Sequence, residues 1–90
     1  MTEVTNPVAV TTTGVVTTAD IFISLIRWVA GASSVAGEAC TVTDNNGTVF
    51  FSSTSTGANF IDANRFDTTL PVRGINVTSL PHGTLYIYFR

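Results

Sequence analysis

Apolar and polar residues alternate with a period of two over much of the chain, the spacing of a strand with one covered face. Val8, Val10 and Thr12 alternate with Ala9, Thr11 and Thr13. Gly14 interrupts this run and Val15–Thr18 resumes it, which predicts one bent strand or two short ones. The most apolar segment is Ile21–Ala30. One face there holds Ile21, Ile23, Leu25, Arg27 and Val29, the other Phe22, Ser24, Ile26, Trp28 and Ala30. Because both faces are apolar a helix competes, but the Ile, Phe, Trp and Val content predicts a strand buried on both sides.

A small-residue loop, Gly31–Gly37, follows. Ala39–Thr43 then runs into Asp44-Asn45-Asn46-Gly47 and returns as Thr48–Ser53. Asn-Gly between two such runs predicts a hairpin closed by a type I′ turn. Ser53–Asn59 is a Ser/Thr/Gly connection, and Phe60–Phe66 fits either a strand or a helical turn. Val72–Leu80 is strand-like, and Pro81-His82-Gly83 has the composition of a hairpin tip. In the closing strand Leu85, Ile87 and Phe89 face one way, and Tyr86, Tyr88 and Arg90 the other. About seven short strands at roughly ten-residue intervals predict an all-β fold. The expected architecture is a polar arm over residues 1–7 and one small antiparallel β-sandwich, jelly-roll or immunoglobulin-like, over residues 8–90.

Composition sharpens this picture. Thr, Val and Ile number 16, 11 and 6, so 33 of 90 residues are β-branched, stiff at χ1 and suited to a pleated backbone. Lys and Gln are absent, which excludes an ordinary helical bundle with its charged exposed faces. An apolar content of 44% with net charge −2 supports a core and argues against disorder. Four Arg against six acids, with no basic run, leave no footprint for nucleic acid or an anionic membrane. The polar surface must be built from Thr, Ser and Asn, and a domain of this size buries only about 60–65% of its unfolded surface alone. That combination predicts a subunit of an assembly. Met1-Thr2-Glu3 is not followed by a basic and then apolar leader, and the single Cys40 fits synthesis in a reducing compartment.

Candidate chemistry is sparse. Cys40 and His82 are the only thiol and imidazole, and a thiolate–imidazole pair would need them within hydrogen-bond reach. Cys40 instead sits two residues from Val42 in an alternating strand, where a free Cys packs as a small hydrophobe. One Cys and one His are too few for zinc. Asp44-Asn45-Asn46-Gly47 resembles the start of a calcium loop but lacks the bidentate Glu, and a turn explains it. Asp62, Asn64 and Asp67 offer oxygens from one segment, with turn capping or pairing to Arg65 as the plainer role. Arg27, in the middle of an apolar strand, must reach solvent, cross an interface or meet a carboxylate such as Asp62 or Asp67. Tyr86 and Tyr88 share a strand face and could stack on sugar rings, although aromatics in a small sandwich more often form core or interface. No catalytic, metal or cofactor site is expected.

The layout as a whole resembles a known class. A polar arm precedes Ile23-Ser24-Leu25-Ile26-Arg27-Trp28, and a strand ending in Thr43-Asp44-Asn45-Asn46-Gly47 returns as Thr48-Val49-Phe50-Phe51. Later come Ala58-Asn59-Phe60, Val72-Arg73-Gly74-Ile75 and Gly83-Thr84-Leu85-Tyr86-Ile87-Tyr88. In pattern and size this resembles the small β-sandwich decoration or cement proteins of tailed bacteriophages. The resemblance implies a non-enzymatic protein on the capsid exterior, made in the host cytoplasm, that binds the major capsid protein and copies of itself as a homotrimer. A tail or fibre component and a carbohydrate-binding module (through Tyr86 and Tyr88) are the alternatives. The contact elements expected are the arm and the Trp28 strand, represented by Val4, Val8, Val10, Arg27 and Trp28.

Overall fold

The computed structural model describes residues 6–89, apart from the side chain of Asp67, and Val4 therefore lies outside the described residues. The chain is all-β and antiparallel, as the alternation predicts. Six strands follow in order: β1 (Val8–Val10), β2 (Gly14–Val29), β3 (Ala39–Thr43), β4 (Val49–Thr54), β5 (Ile61–Ser79) and β6 (Thr84–Phe89). They form one hydrogen-bonded sheet in the order β1-β6-β2-β5-β3-β4.

Two of these strands are far longer than the sequence suggests. Val15–Thr18 and Ile21–Ala30 merge into β2, and Phe60–Phe66 and Val72–Leu80 fall largely within β5. Pro71 is tolerated inside β5 because it pairs with Phe22 of β2 on one side, while β3 joins β5 only from Asn76 onward. The register of β2 shifts between Ile23 and Leu25. Up to Phe22 β2 pairs only with the second half of β5, Ile23 pairs with both Leu70 of β5 and Phe89 of β6, and from Leu25 onward β2 pairs with β6 and the first half of β5. The long strands thus belong to two leaves. One contains β1, β6 and the facing halves of β2 and β5; the other contains their remaining halves with β3 and β4. The leaves close over one core of Ile23, Ile26, Trp28, Ala30, Cys40, Val42, Phe51, Ile75, Val77, Leu85 and Ile87. Ser53 of β4 donates to Asp62 Oδ2 of β5 at 2.6 Å, a bond that joins the leaves.

The shift in β2 also corrects the expected face assignment. Ile23 points into the core, and after the irregularity Ile26, Trp28 and Ala30 do so. Arg27 is exposed and Leu25 only half-buried. The segment is therefore covered mainly on one side, with its inward phase changed partway along. In β6 the simple alternation holds: Leu85 and Ile87 are buried, and Tyr86 and Tyr88 are partly exposed.

Two turns differ from expectation. At the β3–β4 hairpin Gly47 N–H donates to Asp44 O, and only Gly47 has positive φ (84°), Asn46 having none. The Asp44 carboxylate accepts from the backbone N–H of Asn46 (2.8 Å) and Thr48 (2.9 Å). This is a turn stabilised by an Asp side chain, followed by a bulge where Val42 pairs with Phe51 but Thr43 with Val49, and it is not type I′. Pro81-His82-Gly83 is no hairpin tip either, since β2 lies between β5 and β6; it carries the chain from one leaf to the other.

Candidate functional site

The outer face of the first leaf gathers the functional candidates. Cross-strand pairing sets Tyr86 of β6 beside Arg27 of β2, and Arg27 beside Ala63 of β5. The next row is Tyr88, Leu25 and Arg65. The Arg27 guanidinium carbon lies 5.3 Å from the centre of the Tyr86 ring, within the range of a cation–π contact. Ser24, Leu25, Arg65, Phe66 and Tyr88 line an open cleft of about 340 Å³, and Ser24 Oγ donates to the carbonyl of Tyr88 at 3.2 Å. Arg27 thus reaches solvent by stacking on an aromatic ring. Asp62 pairs with Trp28, on the opposite face of β2, and is engaged by Ser53; it is not the partner of Arg27. Asp67, the other carboxylate considered, has its side chain outside the described residues.

The remaining expected contact residues lie differently. Trp28 has no exposed area, so it is a core anchor and offers no surface to a partner. Its indole N–H donates to His82 O at 3.0 Å, and its ring meets Phe60 edge-on at 5.7 Å. Val8 and Val10 pair with Ile87 and Leu85 and pack against the core, leaving Ala9 as the exposed residue of β1. Asn6, at the end of the arm, is fastened to β6. Its side-chain amide donates to Phe89 O and accepts from Phe89 N–H (3.1 Å). Sequence reasoning missed Leu25 and Arg65 as neighbours of the tyrosines, because their meeting depends on the register of paired strands about 40 to 60 residues apart.

Tyr86 and Tyr88 do share the expected outer face. For sugar stacking, however, the Tyr86 ring already carries the Arg27 guanidinium, which a pyranose would have to displace.

The Cys40–His82 pairing does not form. Cys40 is enclosed, and burial pushes its thiol up to about 12, the opposite of an activated nucleophile. The His82 imidazole Nδ1 instead lies 2.8 Å from Glu38 Oε1, which also accepts from Val35 N–H at 3.0 Å. Asp62, spaced by two from Asn64, is committed to Ser53. Among the described residues no three His, Cys, Asp or Glu side chains gather as a metal site, and no helix is long and apolar enough to cross a membrane.

The Glu38 contacts give a pH dependence with a definite sign. The hydrogen bond from His82, and then that from Val35 N–H, hold the Glu38 carboxyl below its usual 4.5. A depressed folded value stabilises fully above the unfolded one and ceases to do so as pH falls through the folded one. Glu38→Gln is therefore expected to lower the melting temperature at neutral pH. Its difference from the parent should begin to shrink as the pH falls below 4.5 and be lost below the lowered folded value. Melting curves of both proteins across the acid range check this, and a constant difference would remove the ionised carboxylate from the account.

No family model, curated protein or solved structure matches this chain.

Proposed function

We propose that the chain is a non-enzymatic structural subunit of a virion, a decoration or cement protein that binds the major capsid protein and copies of itself as a homotrimer. The observation that supports this reading is the outer face of the first leaf, where Arg27, Arg65, Tyr86 and Tyr88 stand together with Leu25 across three strands. Arg and Tyr are the side chains that concentrate binding energy at protein interfaces, joining large apolar area to directed hydrogen bonds. The neutral Thr, Ser and Asn surface around them loses little solvation when another protein covers it. Each contact contributes moderately, and many copies on one lattice multiply the effect.

The test is binding of the purified protein to shells of its major capsid protein, with Arg27→Ala and Tyr88→Ala compared with the parent. Each substitution is expected to weaken attachment about tenfold or more, while circular dichroism stays unchanged. Shells that never take up the parent protein, or that take up both variants at full affinity, would overturn the proposal.

A further inference from the structure

Among the described residues the sheet leaves four edge segments, and three are guarded against pairing with another chain. β1 has three residues. The stretch of β5 that β3 does not cover, before Asn76, carries Asp62, Arg65, Pro71 and Arg73. The first half of β2 is broken by register shifts between Val15 and Thr17 and between Thr17 and Asp20. Its groups are also capped locally: Ala19 N–H donates to Thr17 Oγ1, and Thr18 O accepts from the Asn45 side chain. Charge, proline, shortness and bulges are the usual protections of an exposed edge.

β4 lacks them where it matters. Val49-Phe50-Phe51-Ser52-Ser53-Thr54 contains no charge and no proline. Its only irregularity lies at the Val49 end, and Phe51–Thr54 pairs with β3 without interruption. Beyond it Ser55 N–H donates to Glu38 O and Ser55 O accepts from Gly37 N–H, so both groups of Ser55 point toward β3. By the two-residue repeat, the groups of Ser53 and Phe51 point the same way, and those of Ser52 and Thr54 point outward. The side chains of Ser52 and Thr54 are exposed, and among the described residues no strand lies beyond β4.

We propose that β4 is a self-pairing edge, in which Ser52 of one copy lies opposite Thr54 of a second copy in an antiparallel, two-fold ladder. The arrangement is self-complementary. Ser52 and Thr54 exchange two hydrogen bonds, the symmetric pair exchanges two more, and every outward group of both residues is used. Ser53 lies on the axis facing its own copy, and no charge meets a like charge. The exposed hydroxyls of Ser52 and Thr54 fall side by side, a favourable cross-strand pair. One such ladder buries far less than the roughly 1,200 Å² of a stable interface. The contact is therefore weak alone and effective when a lattice holds many copies near one another. It deepens the proposed function, on which it rests, by naming a two-fold contact between copies in neighbouring trimers, distinct from the three-fold contacts within one trimer.

The test is sedimentation equilibrium of the whole chain from about 10 µM to 1 mM, with amide exchange at Ser52 and Thr54 followed across the same series. The average mass should rise above its dilute value, and exchange at those two amides should slow about tenfold or more. Ser52→Pro removes an outward N–H without costing a bond to β3, and Ser52→Lys places a guard charge on the edge. Each should weaken association at least about tenfold, with the melting curve unchanged. A parent protein whose mass and exchange do not depend on concentration overturns the inference, as do variants that associate like the parent. Shell binding through Arg27 and Tyr88 is read separately, so either idea can fail without the other.

Discussion

Gly83→Ala should lower the unfolding free energy by about 4 kcal/mol or more, among the largest effects a single methyl group can have. Gly83 has φ of 84°, which costs an L-residue roughly 1–2 kcal/mol. The greater part of the effect is steric. A Cβ there would lie 2.0 Å from Val29 O and 2.5 Å from Ala30 O, and these are backbone atoms at the end of a buried strand that cannot rotate away. The same turn holds His82 O against the Trp28 indole, so shifting it disturbs the core. Gly47 provides the control, since it has the same φ of 84° with nothing within 4 Å of its would-be Cβ. Gly47→Ala should cost only the conformational part, about 1 kcal/mol. Urea titrations of the two variants separate the contributions. Equal losses would show that the turn at Gly83 yields easily.

Trp28→Ala comes next, at about 3–5 kcal/mol. Total stability for a domain of this length is roughly 5–13 kcal/mol, so this variant should melt some 12–40 °C lower or fail to fold. Trp28 fills the space between Leu85 and Asp62 on the neighbouring strands, abuts Phe60, and satisfies a carbonyl on the chain segment that joins the leaves. Trp28→Phe retains much of the ring and isolates the indole hydrogen bond. Leaving His82 O without its donor should cost about 1–3 kcal/mol, plus a smaller packing loss. Thermal melts decide the matter: an alanine variant within about 1 kcal/mol of the parent would mean that Trp28 is not the anchor of the core.

Local pattern carries much of this architecture but not its long-range joins. The alternation around Leu85 and Ile87 is legible because a regular strand needs nothing beyond its own period. Asp44-Asn45-Asn46-Gly47 announces a hairpin, yet the Asp44 carboxylate, by accepting two backbone N–H groups, selects a turn that the Asn-Gly pair alone does not indicate. Gly14 reads as an interruption and β2 begins there, but tertiary pairing carries β2 on through Asp20 and β5 through Pro71. The change of phase after Ile23 comes from an irregularity that only partner strands reveal. The resemblance to decoration proteins puts the Trp28 strand on a contact surface; in the structure the indole N–H finds its partner inside. The outer-face cluster was half visible, since Tyr86 and Tyr88 share a strand. Their meeting with Arg27 and Arg65 depends on register across β6, β2 and β5.

The placement of β6 between β1 and β2 has a consequence for how the chain acquires its structure during synthesis. β1 has no strand to pair with until β6 has left the ribosome, and Leu85 and Ile87, near the centre of the core, arrive with it. The emerging domain therefore holds an incomplete core and open strand edges until β6 arrives, the state most prone to misassociation. Folding should begin late, proceed slowly because the decisive pairings join residues far apart in sequence, and finish in one cooperative step.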